Sequence, residues 1–527
     1  MEQQLYWNGS IFTMEDHFPQ VEALLVENGK ILAAGSKEAV CSAASSSVQT
    51  IDLEGATLLP SFLDSHSHFT SYANSLLQAP LEGAASFSEI AARIKDFIQD
   101  NRIPKGKWVV GAGYDHNQLQ EELHPPLSLL DSAAPDNPLI LQHQSGHMGV
   151  LNSLALAALG ITPETSSPSG GKIGVEEGAL TGYLEENAFI DCLKRIPIDA
   201  MGDLMGAFEE TQNRYLRYGI TTVQDGMAVD DMAPLYQQLC RQKKLKLDLV
   251  AYGDMDHCEK LMEAFPSSDY QSRFRMGGYK IFLDGSPQGR TAWLREPYQG
   301  TPRGERGYPI LTDAQVEEKL TRALREGRQI LAHCNGDAAC LQYVSAYQRV
   351  RRKEKGPDIR PVMVHAQLLP RELLPLVGEL GMIPSFFVAH IYHWGDVHCK
   401  NLGMERASVI SPAASAGKRN IPYTFHQDAP VIQPDMLETL WCAVERRTKK
   451  GTLLGPQERI PVWDALKAVT IHAAYQYFEE EKKGSLAPGK LANLVVLDGN
   501  PFTVPPEELN KLQVLKTIRE GQILYQK

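Results

Sequence analysis

Paired cysteines are missing from this chain. Its eight cysteines are scattered at 41, 192, 240, 258, 334, 340, 399 and 442, and no CxxC occurs. Reduced thiols in a cytoplasm are expected, and Cys334 reads as a small buried side chain rather than a ligand. Long hydrophobic runs are missing too. None reaches the roughly 18 residues of a membrane span, and the opening MEQQLYWNGS has neither a basic stretch nor an apolar core, so no signal peptide is expected. Positive charge is in deficit: 52 Lys and Arg against 64 Asp and Glu give a net charge of −12. That balance argues against a nucleic-acid or anionic-membrane partner. Lys243-Lys244 and Arg351-Arg352-Lys353 read as solvated helix faces. No tandem repeat or low-complexity segment stands out. What remains is a soluble composition, 43% apolar and 22% charged, over 527 residues, enough for a large domain plus a second one.

Both ends are rich in turns and short apolar stretches. QLYWNGSIFTM and ALLVENGKILAAG carry the hairpin signals Asn8-Gly9 and Asn28-Gly29. The tail, GSLAPGKLANLVVLDGNPF and LKTIREGQILYQK, resembles them. Neither end has enough apolar material to fold alone, so residues 1–58 and 476–527 are expected to form one small β domain. Between them, 59–475, eight strand-like runs alternate with helical patterns: TLLPSFLDSH, GITTVQDG, KLDLVAYGD, GGYKIFLDG, RQILAHC, PVMVHAQ, GMIPSFF and IPYTFHQD. That alternation predicts an α/β fold with a closed parallel (β/α)8 barrel. LTDAQVEEKLTRALREG predicts one intervening helix, capped by Gly327. An insertion at about 70–215 separates the first two runs and reads as a subdomain over the barrel mouth.

Five segments carry candidate metal ligands at or near strand ends: His66 and His68 in DSHSH, Lys280 in GYKIF, His333 in LAHC, His365 in MVHAQ and Asp428 in FHQDAP. Barrel strands aim such residues at one mouth. The two histidines of HxH share a strand face because side chains alternate with period two. Asp64 shares that face and is a candidate hydrogen-bond partner for a ligating ring. Neutral imidazole suits zinc and similar ions. Asp428 can bind metal and act as general base, or can instead form an Asx turn before Ala429-Pro430; His426 is its neighbour. A buried Lys280 is pushed toward a neutral amine, which can take up carbon dioxide as a carbamate; snorkelling or pairing with Asp284 is the alternative. Candidate substrate contacts are Asp115, His147, Arg290, His390 and Trp394. The segment FFVAHIYHWGDVH reads as a loop forming an aromatic substrate wall.

The constellation resembles the amidohydrolase superfamily, and more closely its YtcJ-like branch with N-substituted formamide deformylase-type enzymes. The resemblance spans nearly the whole chain through LPSFLDSHSH, QSGHMGVLNSLAL, KIFLDGSPQGRTAWL, HCNGDAA, HAQ, QDAPV and GSLAPGKLANLVVLDGNP. It implies a distorted barrel with a composite β-sandwich from both termini and an N-carboxylated Lys280. The centre is then expected to be binuclear, with one or two divalent ions, zinc foremost and Mn, Fe or Co as substitutes. The expected reaction is metal-dependent hydrolysis of a non-peptide C–N bond, amide or N-formyl, in a small molecule. The same barrel used for deamination or isomerisation, or a non-catalytic binding protein, are the rival readings. Ser145-Gly146-His147 and Gln427-Asp428 depart from the Asp-Gly-His and Ser-Asp of relatives, which bears on substrate polarity. A homodimer is the default assembly.

Overall fold

Strands buried on both faces read as unbroken apolar runs, and eight such runs form one parallel sheet in chain order. They are β1 (Phe62–Leu63), β2 (Ile220–Ala228), β3 (Asp248–Asp254), β4 (Phe274–Phe282), β5 (Gln329–Cys334), β6 (Val362–His365), β7 (Ile383–Phe386) and β8 (Thr424–Phe425). The computed structural model describes residues 3–45, 47–116, 118–144, 148–168, 171–196, 204–301 and 303–527. The eight strands are those named from the sequence. Past β1 and β8 the chain is also linked: Asp428 N donates to His66 O at 3.3 Å and His68 N to Ala429 O at 2.8 Å. Alternate residues Val250 and Tyr252, and Val362 and Val364, pack with Leu63, Leu331 and Ile383 against Ala473, Ala474 and Tyr477.

The helix Asp313–Glu326 shows why the intervening segments fold as they do. Thr312 and Gln315 form a reciprocal capping box, Val316, Leu320, Ala323 and Leu324 face inward, and Gly327 closes the helix at φ 63°.

The two chain ends share a second sheet, in which Leu494–Leu497 pairs antiparallel with Thr57–Pro60. Asn28-Gly29 is a two-residue hairpin turn with φ of 50° and 78°. Asn8-Gly9 is not a turn. It sits inside the strand Gln3–Phe12, at a register irregularity between Trp7 and Ile11. There the strand passes from pairing with Gln49–Asp52 to pairing with Thr57–Pro60. A Cβ at Gly9 would lie 2.3 Å from Ala56 O, so glycine serves close approach rather than reversal.

A buried ionic cluster joins the tail to the parallel sheet. Lys483 Nζ lies 2.6 Å from Asp248 Oδ2 and 2.8 Å from Glu479 Oε2, and Arg519 Nη2 lies 2.8 Å from Asp248 Oδ1. This whole assembly, residues 1–69 with 212–527, is one compact unit.

Residues 70–211 form another compact unit. Its six-stranded sheet runs Gly171–Glu176, Ala179–Glu186, Met148–Leu151, Leu139–His143, Val109–Tyr114, Ala79–Pro80. Separate apolar clusters, around Ile94, Leu130 and Leu141 and around Ile140, Leu184 and Phe189, give it cores of its own. Among the described residues no helix is long and apolar enough to cross a membrane.

Candidate metal centre

The ends of the parallel strands bring the sequence-distant residues together. His66 and His68 follow β1, Lys280 lies near the end of β4, His333 near that of β5, His365 ends β6 and Asp428 follows β8. Register sets His333 beside Phe282, and Cys334 beside His365. His66 Nε2 and His68 Nε2 each lie 3.3 Å from Asp428 Oδ1. His365 Nε2 lies 3.9 Å from Asp428 Oδ2. Lys280 Nζ is 3.2 Å from His66 Nε2. His365 and Asp428 both hold left-handed backbone, φ 72° and 57°. A non-glycine residue keeps that conformation only where its surroundings enforce it.

Hydrogen bonds on the far side of each ring decide which nitrogen faces the cluster. His68 Nδ1 lies 2.9 Å from Gly226 O, a carbonyl that only accepts, so Nδ1 carries the proton and Nε2 is a lone pair. His66 Nδ1 lies 2.5 Å from Gln224 Oε1, while Gln224 Nε2 donates to Ser65 O at 2.7 Å. The amide is thereby oriented, and His66 Nε2 is also a lone pair. A longer chain fixes His365. Ser65 Oγ donates to Phe425 O at 2.9 Å, so it accepts from Ser385 Oγ at 3.1 Å. Ser385 in turn accepts from His426 Nδ1 at 2.9 Å, and His426 Nε2 accepts from His365 Nδ1 at 3.1 Å. His365 Nε2 is left as a lone pair.

Three imidazole lone pairs and a carboxylate thus converge. Asp428 Oδ1 is buried with no hydrogen-bond donor, a costly arrangement unless a cation completes it. Zn–N bonds of about 2.0–2.1 Å imply donor separations of about 3.3 Å in a tetrahedral site, which is what His66 and His68 keep from Asp428. The side chains therefore fit a divalent metal. Electrostatics point the same way. Burial, then Lys280, lowers His66 to about 3. Burial would lower His68 as well, but the Asp428 carboxylate carries it above its usual value. Burial draws Lys280 down to about 7, giving a substantial neutral amine fraction. Gly226 lets the rings in: a Cβ there would meet His66 Cε1 at 2.8 Å.

His333 stands one step off. Its ring is 4.5 Å from that of His365, and its buried Nδ1 has no hydrogen bond and lies 3.3 Å from Asp284 Oδ1. Asp284 pairs here rather than with Lys280. Backbone N–H groups of Asn335, Gly336 and Trp293 fix its two oxygens.

The segment read as a loop after β7 is a helix, His390–Leu402. His390, Trp394 and His398 recur every four residues and so share one face; the spacing was helical all along. Phe387 links them to the cluster, its ring 5.3 Å from His426, 4.5 Å from His390 and 5.9 Å from Trp394. His390 Nδ1 lies 3.1 Å from His398 Nε2. Arg290 is half-buried and its Nε donates to Asn401 Oδ1 of the same helix at 3.0 Å. Gln427 is turned to Thr439 and Met436. Asp115 lies in the smaller unit, beside His116 and His143; His147 falls outside the described residues.

Gln224 was not singled out in the sequence. A buried glutamine in the strand run TTVQDG was the available signal. It, rather than Asp64, orients the His66 ring; Asp64 Oδ1 takes the His66 backbone N–H at 3.3 Å, and burial raises Asp64 to about 8. Outer partners of metal-bound histidines are typically worth about 10–100-fold in affinity. Gln224→Met, which keeps the bulk, is expected to weaken zinc binding by about that factor in chelator-competition titrations; an unchanged affinity would remove Gln224 from the site.

The amidohydrolase family profile matches residues 49–525. The chain is 29% identical over 542 residues to the YtcJ protein of Bacillus subtilis (strain 168), described as an amidohydrolase, with 99% of each covered. It is 27% identical over 540 residues to N-substituted formamide deformylase of Arthrobacter pascens, covering 99% of this chain and 98% of the relative. An uncharacterized metal-dependent hydrolase from Pyrococcus furiosus superposes with a TM-score of 0.79 at 25% identity, over 95% of this chain and 100% of that one.

Proposed function

This chain belongs to the amidohydrolase family, and from that premise we propose that it hydrolyses an amide or N-formyl C–N bond of a small molecule. The observation that carries the reading is the convergence of His66, His68 and His365 lone pairs on Asp428, whose Oδ1 has no donor. His66, His68, Lys280, His333, His365 and Asp428 would hold one or two divalent ions, zinc foremost, in a closed, distorted (β/α)8 barrel, with a β-sandwich made by the two chain ends. Such an ion lowers the pKa of a water to about 7 and polarises a carbonyl. Lys280, drawn toward its neutral form by burial, would add carbon dioxide with loss of a proton to give an N-carboxylate, and so supply a second anionic ligand. Asp428 takes the proton of the attacking water as oxygen adds to the carbonyl carbon. It returns that proton to the nitrogen as the C–N bond breaks, giving an amine and a carboxylic acid, which then loses its proton to solvent. Phe387, His390 and Trp394 form the apolar wall against which the substrate's nitrogen substituent packs, and Arg290 is a further substrate contact.

Stripping the protein with a strong chelator is expected to abolish hydrolysis of N-formyl amines and simple amides, and added Zn²⁺ or Mn²⁺ should restore it. Added bicarbonate should increase the recovery. Hydrolysis that survives complete metal removal would refute the reading.

A further inference from the structure

The smaller unit holds a second convergence of metal-ligand side chains, and it shares no residue with the one above. Two of its strands, Val109–Tyr114 and Leu139–His143, run parallel and end level, with Tyr114 paired to His143. Asp115 and His116 follow directly on the first strand, so three donor groups emerge at neighbouring strand ends. His116 Nδ1 lies 3.1 Å from His143 Nε2. Asp115 Oδ1 lies 3.4 Å from His143 Nε2 and 3.9 Å from His116 Nδ1. These values bracket the separation of about 3.3 Å that bonds of about 2.0–2.1 Å impose around a tetrahedral ion.

The rings are supported from outside. His124 stacks on His116 with centroids 4.2 Å apart and planes 28° apart, and its own Nδ1 lies 3.0 Å from the Tyr114 hydroxyl. The Tyr114 ring meets His143 edge-on at 5.2 Å. The Asp115 and His116 side chains remain 20% and 28% exposed, which gives an ion an access path and leaves room for a water in a fourth position.

We propose that Asp115, His116 and His143 form a second metal site, taking a borderline divalent cation of the zinc, cobalt or nickel class through two imidazole nitrogens and one carboxylate oxygen. Its ligands lie wholly within the smaller unit, and it stands whether or not the hydrolytic reading does. The site also reassigns Asp115 from substrate contact to ligand.

The test is metal stoichiometry on the full chain. Metal-free wild type, Asp115→Asn and His116→Gln are titrated with Zn²⁺ against a coloured chelator, with circular dichroism checking the fold. Both substitutions fall on partly exposed side chains. Each variant is expected to bind one ion fewer than wild type, while Asp428→Asn keeps that ion. A second readout uses Co²⁺: the visible absorption of the wild type should exceed that of His116→Gln by the contribution of one low-coordinate cobalt. Equal ion counts in all three proteins, or identical cobalt spectra, would overturn the proposal and leave a hydrogen-bonded histidine pair.

Discussion

Asp428→Asn is expected to lower kcat/KM by about 10³–10⁴ on any N-acyl or N-formyl substrate that the wild type turns over. The amide cannot accept the water's proton, so the loss should fall on kcat, with KM little changed. Two features make the effect large. The carboxylate faces three imidazole lone pairs, so its charge directly offsets that of a cation bound among them. Its left-handed backbone, φ 57°, is a conformation that only the surrounding structure can hold, so the fold sets the point from which the carboxylate projects. Asp428→Glu is a useful companion: it keeps the charge but displaces it by one methylene, and about 10²-fold of loss is expected from misplacement alone. Steady-state kinetics at matched zinc loading reads both. A rate for Asp428→Asn within tenfold of wild type would assign the proton to another group.

Lys483→Met is expected to destabilise the larger unit by about 3–5 kcal/mol, because it leaves the Asp248 and Glu479 carboxylates buried with one cation fewer. Asp248→Asn should cost a similar amount by leaving Lys483 and Arg519 short of their shared partner. Urea unfolding followed by tryptophan fluorescence measures this. A double replacement by apolar residues should recover much of the loss, since removing both charges avoids the unpaired state. The pH behaviour has a defined sign. Burial would lower Lys483, but Asp248, Tyr270 and Glu479 outweigh it and raise its pKa above the ordinary lysine value. Its contribution is therefore fully present below about 10.4 and fades only as pH rises toward the raised value. Wild-type stability from this cluster should be level through neutral pH, and the Lys483→Met deficit should shrink only in strong alkali.

Much of this was readable in the chain, for identifiable reasons. Parallel strands covered on both faces leave continuous apolar runs, so all eight could be named, and each candidate ligand could be placed near a run's end. The helix over Asp313–Glu326 announced itself through its cap and Gly327. What failed was local ambiguity. Asn8-Gly9 has the residues of a type I′ turn, yet the strand needed them for a bulge. The stripe His390, Trp394, His398 lies inside a run so rich in aromatics that its period of four does not stand out. Gln224 carries no metal-ligand signature, and its role follows only from where its amide is held. The Asp115, His116 and His143 group could not be assembled from spacing. Twenty-seven residues separate its two histidines, and strand register alone brings them level.

The pairing of Thr57–Pro60 with Leu494–Leu497 has a consequence for biosynthesis. His66 and His68 follow β1, shortly after the first of these strands, but the partner for one of that strand's edges is translated roughly 430 residues later. At about 5–20 residues per second, that edge waits about 20–90 s on the ribosome. During that interval a nascent chain exposes an apolar strand edge close in sequence to its first candidate metal ligands, so recombinant yield should respond to chaperone supply and to synonymous codons that change elongation speed.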